Sequence, residues 1–113
     1  MTEKKGDLFG PKFGTASVEG FSFTFRLNLS FALISAASAS GNAEMLFAVL
    51  ESWTIGGLSI EVGFDGDKPI VYEFPDAPTL EACRNLPMLL TKTLTVEYGS
   101  LIGNAVPKPK AVR

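Results

Sequence analysis

The chain has 113 residues, 46% of them hydrophobic and 11% aromatic, and a formal net charge of −2. This length allows one domain with one modest core, and the apolar fraction argues against an intrinsically disordered chain. With one cysteine and no histidine, an intramolecular disulfide is excluded and a transition-metal site lacks its usual ligands. We therefore expect a reducing, cytoplasmic setting without metal or cofactor.

The charges are unevenly distributed along the chain. Residues 41–81 carry eight acidic side chains and one basic one, Lys68, whereas residues 107–113, PKPKAVR, carry three positive charges and no negative one. An acidic middle disfavours a phosphate backbone, because nucleic-acid affinity depends mainly on Lys and Arg. We expect no nucleic-acid partner, and interpret the basic end as a solubilising tail.

The first twenty residues, MTEKKGDLFGPKFGTASVEG, are charged at first and rich in glycine. This composition predicts a flexible or loosely docked arm over residues 1–20, with a short extended piece at residues 13–18. Phe9 and Phe13 are expected to pack on the edge of a sheet, with anchoring of a partner as the alternative.

Apolar residues occupy every odd position from 21 to 33, with polar or small residues between them. Such a period of two predicts a half-buried β-strand. The small residues that follow, SAS, resemble the end of a secretory signal, but the alternation argues against one. Four serines and Glu44 make the neighbouring stretch too polar for a membrane span, so no membrane partner is expected.

An amphipathic helix is predicted over residues 43–52. Asn42 is its candidate N-cap, and Glu44 lies in the first turn, where the helix dipole favours negative charge. One apolar stripe follows at helical spacing, formed by Met45, Leu46, Val49, Leu50 and Trp53.

A β-hairpin is predicted next, because residues 58–64 and 70–74 both alternate around the turn sequence DGDKP. Two short helices should then close the ordered part. Thr79 or Asp76 can cap the first, Pro87 should interrupt the helical run, and Gly99 should end the second.

These elements predict an α+β fold. We expect one small domain over residues 21–102, with a long N-terminal strand, a β-hairpin and two or three short helices. A basic, proline-containing tail over residues 103–113 follows it.

No catalytic motif is present. A Ser or Cys nucleophile would lack the commonest base, since the chain has no histidine, and no glycine cluster has phosphate-loop spacing. Glu61 and Glu73 are expected to be separate, solvated carboxylates, because like charges directly opposed on two strands destabilise a sheet. The sequence therefore predicts a protein that is not an enzyme.

A further characteristic of the sequence is the order of its segments over about residues 43–94. A helix ending in tryptophan, FAVLESW, is followed by an extended section with a turn, DGDKPIVYEF, and by a helical ending, TLEACRNLPMLLTKTL. In this order the chain resembles the small tail assembly chaperones of long-tailed bacteriophages. The resemblance covers a bit under half the chain.

This resemblance implies a non-enzymatic protein that covers the long, helical tape-measure protein in the host cytoplasm before tube subunits assemble around it. Such a role needs exposed apolar surface and no cofactor. The hypothetical partner-binding residues are Met45, Leu46, Leu50, Trp53, Met88 and Leu89. Methionine suits a helix-binding groove because its side chain is flexible and polarizable. The alternative is that all six belong to the core.

A second interpretation is a structural subunit of a virion or other assembly. In that case the predicted strand over residues 21–33 would add to a neighbour's sheet, and the terminal arms would join copies of the chain. The partner would then be the protein itself, as a homo-oligomer.

Overall fold

The structure is a computed structural model that describes residues 8–106. Over that range the chain forms four α-helices and five β-strands in two sheets, which confirms the predicted α+β class. Two predicted features lie outside the described residues: the first seven residues of the arm, and residues 107–113 of the basic tail.

The first sheet is antiparallel and has the order β1 (Phe13–Val18), β2 (Phe21–Arg26) and β3 (Leu50–Trp53). β1 coincides with the extended piece predicted inside the arm. Glu19 and Gly20 form the two-residue turn into β2, and both have positive φ, 51° and 86°. β2 lies in the middle of the sheet, and its Phe23 and Phe25 are fully buried in the core.

The strand predicted for residues 21–33 is shorter than expected and ends at Arg26. The alternation continues in sequence, but residues Phe31–Ser40 form helix α1. Ser30 is its N-cap, and its hydroxyl accepts a 3.2 Å hydrogen bond from the Leu33 amide. An N-cap serine followed by several alanines favours a helix, and here this local preference prevails over the period-two pattern.

The next helix, α2 (Asn42–Val49), is also shorter than predicted, because the chain turns into strand β3 at Leu50. Gly41, with φ of 142°, is the N-cap in place of Asn42. Phe25 is opposite Leu50 and Phe23 is opposite Trp53, with an irregular register between them. This irregularity places both Leu50 and Trp53 on the buried side although they are three residues apart.

The predicted hairpin is present as β4 (Ser59–Asp65) and β5 (Lys68–Glu73), which form a second, two-stranded sheet. Its turn is tighter than the five residues expected. Asp65 pairs with Lys68, which leaves Gly66 and Asp67 as a two-residue turn, with Gly66 at φ of 64°.

The predicted interruption at Pro87 is confirmed, since it separates α3 (Leu80–Arg84) from α4 (Met88–Ala105). Thr79 caps α3 and accepts a 3.0 Å hydrogen bond from the Ala82 amide. α4 has 18 residues and continues past Gly99, where it was expected to end.

The β-branched threonines of α4 do not stop the helix, and their hydroxyls bond to carbonyls of its own preceding turn. Thr93 donates to Leu89 O at 2.8 Å, and Thr95 donates to Thr91 O at 2.9 Å. The buried Leu94 and the Tyr98 ring, 5.6 Å from the Phe25 ring, fix α4 against the three-stranded sheet.

Candidate functional site

The six candidate partner-binding residues do not form one surface. Leu46, Leu50 and Trp53 are buried in the core, and Met45 is half-buried against it. Only Met88 and Leu89 are exposed, 73% and 80% respectively. The alternative that these residues belong to the core therefore holds for four of them. Met88 and Leu89 remain available to a partner.

Met88 and Leu89 lie in the first turn of α4. Pro87 precedes the helix, and its carbonyl accepts a 2.9 Å hydrogen bond from the Thr91 amide. Leu90 of the same turn packs against the core. Met88 and Leu89 do not, so two large apolar side chains are presented to solvent at one end of the helix.

Leu89 lines an apolar groove of about 300 Å³, which we call the Leu89 groove. Its walls come from the β1–β2 turn, from β2, from the base of the hairpin and from the start of α4. The main lining residues are Val18, Phe21, Ile55, Leu58, Ile60, Leu89 and Leu90. Glu19 is the one charged residue among those that line it.

Trp53 has a structural part in this region. Its indole Nε1 donates a 2.9 Å hydrogen bond to Pro75 O. Its ring meets the Phe74 ring edge-on, at a centroid distance of 6.0 Å. Phe74 in turn meets Tyr72 of β5 at 5.1 Å. Trp53 thus anchors the base of the hairpin to the three-stranded sheet.

Beyond that base, the hairpin has no extensive packing against any other described element. Neither of its strands contains a buried residue. Phe64 is 69% exposed and Val71 is 59% exposed, and Ile70 is also exposed. This projecting apolar sheet was not identified from the sequence. Val71 could have indicated it, because an apolar residue between Ile70 and Tyr72 breaks the expected alternation and makes both faces of the strand apolar.

The register of the hairpin places its two glutamates on one face without opposing them directly. Glu61 is opposite Val71, and Glu73 is opposite Ser59. Both carboxylates are exposed to solvent and neither is directly opposite the other, as the sequence predicted.

A second cleft, of about 610 Å³, lies between β2, α1 and α2. Leu29, Leu33 and Phe47 line it. Arg26 and Glu51 also line it, and Nε of Arg26 donates a 2.7 Å hydrogen bond to Oε1 of Glu51. The ion pair is half-exposed and ties the end of β2 to the irregular part of β3.

Ionisable groups with shifted pKa values have structural explanations. A 2.9 Å hydrogen bond from Arg84 lowers the pKa of Glu44 and links α3 to α2. Burial raises the pKa of the Cys83 thiol to about 11, so the thiol is protonated near neutral pH and is a poor nucleophile. Burial also raises the pKa of Tyr98.

Within residues 8–106, no three His, Cys, Asp or Glu side chains lie close enough together to hold a metal ion. Over the same range, each helix is too short or too polar to span a bilayer. The chain matches no protein-family model, no curated protein and no solved structure.

Proposed function

We propose that this chain is a non-catalytic protein that binds an apolar face of a partner helix in the Leu89 groove. The observation that carries this proposal is the exposure of Leu89, 80%, on the wall of an apolar groove. Docking a partner helix would bury the Leu89 side chain together with the apolar groove lining and contribute about 1.5–3 kcal/mol.

The groove has the features that helix recognition requires. Its lining is aliphatic and aromatic, and Met88 lies beside it as an adaptable side chain. A partner helix would place one or two anchor residues in about 300 Å³ and continue along α4. Glu19 at the rim favours a partner with a basic residue beside its apolar anchors.

Within this class, the order of features over residues 43–94 makes a tail assembly chaperone our specific proposal. The client would be a long, helix-rich protein of the tape-measure kind, bound in the host cytoplasm. The geometry revises the contact surface: Met88 and Leu89 would contact the client, while Leu46, Leu50 and Trp53 would support the fold.

The test compares two aspartate substitutions on one helix. Leu89→Asp changes the groove wall, whereas Val96→Asp changes a residue that is 69% exposed, two turns further along α4 and outside the groove lining. Each variant and the unmodified chain would be used to capture proteins from the producing cells. Circular dichroism would first show that all three are folded.

We expect the unmodified chain and Val96→Asp to retain one long helix-rich protein, and Leu89→Asp to lose most of it. The chain should also be absent from finished particles. Equal capture by all three proteins would refute the groove as the binding site.

A structural subunit of an assembly is the second candidate, and the projecting hairpin is the observation that favours it. The route expected from the sequence is unsuitable, because β2 is paired on both sides, with β1 and with β3. Contacts between copies would therefore use the hairpin. Finding the chain in purified particles would favour this candidate over the chaperone.

A further inference from the structure

The hairpin has one face that combines apolar and acidic side chains, which we call the outer face. Phe64 is opposite Pro69, and Glu61 is opposite Val71. Residues two apart in a strand share a face, so Glu73 lies on this face as well. The other face is the one that Ile60 and Tyr72 turn towards the core.

Apart from Glu61, which lines a pocket with Arg84 and Met88, the outer face has no extensive contact with another described element. An isolated two-stranded hairpin is only marginally stable in water, and this one exposes large apolar side chains in addition. Such a face is expected to be covered when the protein is at work.

Its charge indicates the chemistry of what covers it. The outer face carries Glu61 and Glu73 and no basic side chain, whereas Asp65 is opposite Lys68 on the other face. Both ion pairs found within residues 8–106, Arg26–Glu51 and Arg84–Glu44, lie elsewhere. The acidic groups of the hairpin are therefore free to attract a basic segment.

The chain itself contains a segment of that chemistry. Residues 107–113, PKPKAVR, combine three positive charges with proline, alanine and valine, and include no acidic residue. The other lysine-containing end is different, because Lys4 and Lys5 are balanced by Glu3 and Asp7. Opposite charge and apolar character on both sides make residues 107–113 a suitable occupant of the outer face.

Geometry favours an occupant from another copy. Ile60 at the base of the hairpin and Leu89 at the start of α4 line the same groove. Residues 107–113 follow the opposite end of this helix, which has 18 residues and is about 27 Å long. The base of the hairpin and the last described residue before position 107 are therefore near opposite ends of α4.

We infer that the outer face of the hairpin binds residues 107–113 of a second copy of this chain. The contact is heterologous, since different surfaces of the two copies meet. Repeated, it joins copies head to tail into a ring or a filament. It is independent of the Leu89 groove and of any client.

The test uses charge reversal in the full chain, followed by sedimentation velocity over a wide concentration range. One variant carries Glu61→Lys and Glu73→Lys, and the other carries Lys108→Glu and Lys110→Glu. The hairpin positions are exposed, so folding should be preserved; circular dichroism checks it. Leu89→Asp is the matched control for the groove.

We expect the unmodified chain and Leu89→Asp to form larger species as concentration rises, and high salt to weaken them. Each charge-reversed variant alone should lose these species. An equimolar mixture of the two variants should restore the larger species, because the lysines of the hairpin in one variant can pair with the glutamates of residues 107–113 in the other. Three outcomes would overturn the inference. The unmodified chain could stay monomeric at every concentration, all variants could associate equally, or the mixture could fail to associate.

Discussion

Nε1 of Trp53 lies 2.9 Å from the carbonyl oxygen of Pro75 and donates a hydrogen bond to it. Trp53 ends strand β3 of the three-stranded sheet, and Pro75 follows the hairpin. The Phe74 ring packs edge-on against the same indole. This bond and the ring contact together connect the three-stranded sheet to the base of the hairpin.

Substitution of Trp53 separates the packing of the ring from its hydrogen bond. Trp53→Phe keeps an aromatic ring but leaves Pro75 O without its donor, so we expect a loss of about 1–3 kcal/mol in the free energy of unfolding. Trp53→Ala also leaves a cavity and should cost about 3–5 kcal/mol. Urea unfolding followed by circular dichroism measures both. Unchanged stability in Trp53→Phe would show that the hydrogen bond contributes nothing.

Two glycines should respond in opposite directions to alanine. A Cβ on Gly56 would lie 2.7 Å from the Cα of Asp76, so Gly56→Ala must displace backbone and should cost about 1–3 kcal/mol. Gly99 lies inside α4 with nothing within 4 Å of an added Cβ. Gly99→Ala should therefore stabilise the protein by about 0.5–1 kcal/mol. Thermal unfolding measures both variants. A shift of both unfolding temperatures in the same direction would contradict this prediction.

Glu19 adopts a backbone conformation that L-residues rarely take, with φ of 51° in the β1–β2 turn. Asparagine accepts this conformation more readily, so Glu19→Asn should stabilise the fold by up to about 1 kcal/mol. Glu19→Gln is the control, since it removes the charge and keeps an unsuitable side chain. Similar stability of both variants in urea would mean that charge, not conformation, is responsible.

Because Cys83 is buried, we expect the protein to lose stability at alkaline pH. Burial raises the pKa of its thiol from 9.0 to about 11 in the folded protein. Between these values the unfolded chain releases a proton that the folded chain retains, so the free energy of unfolding falls as pH rises from 9 towards 11. Tyr98, whose pKa is also raised by burial, contributes at high pH.

The variant Cys83→Ala isolates the thiol from this tyrosine contribution. Its stability, measured by urea unfolding from neutral to alkaline pH, should decline less steeply than that of the unmodified chain. Parallel curves for the two proteins would show that the thiol does not titrate differently on folding.

Several elements could be predicted from local sequence alone. The hairpin, the break at Pro87 and the cap at Thr79 depend on residues close in sequence, whose conformational preferences act without help from the rest of the chain. The α+β class followed from these elements. The single cysteine and the acidic middle are likewise properties of composition.

The candidate site could not be predicted in the same way. Trp53 and Leu89 are both large apolar residues, and only the packing of distant segments decides that one is buried and the other exposed. The residues 50–53 continue a helical stripe in sequence but become a strand, because pairing with β2 satisfies their backbone and buries Leu50.

By itself the sequence determined which residue types were available: a large apolar fraction, acidic groups in the middle and no histidine. Tertiary structure decided which of them meet solvent. It buried Leu46, placed Leu89 on the wall of a groove, and left the hairpin without packing on its outer face. The reason is that burial depends on contacts between segments far apart in the chain, and local patterns do not contain them.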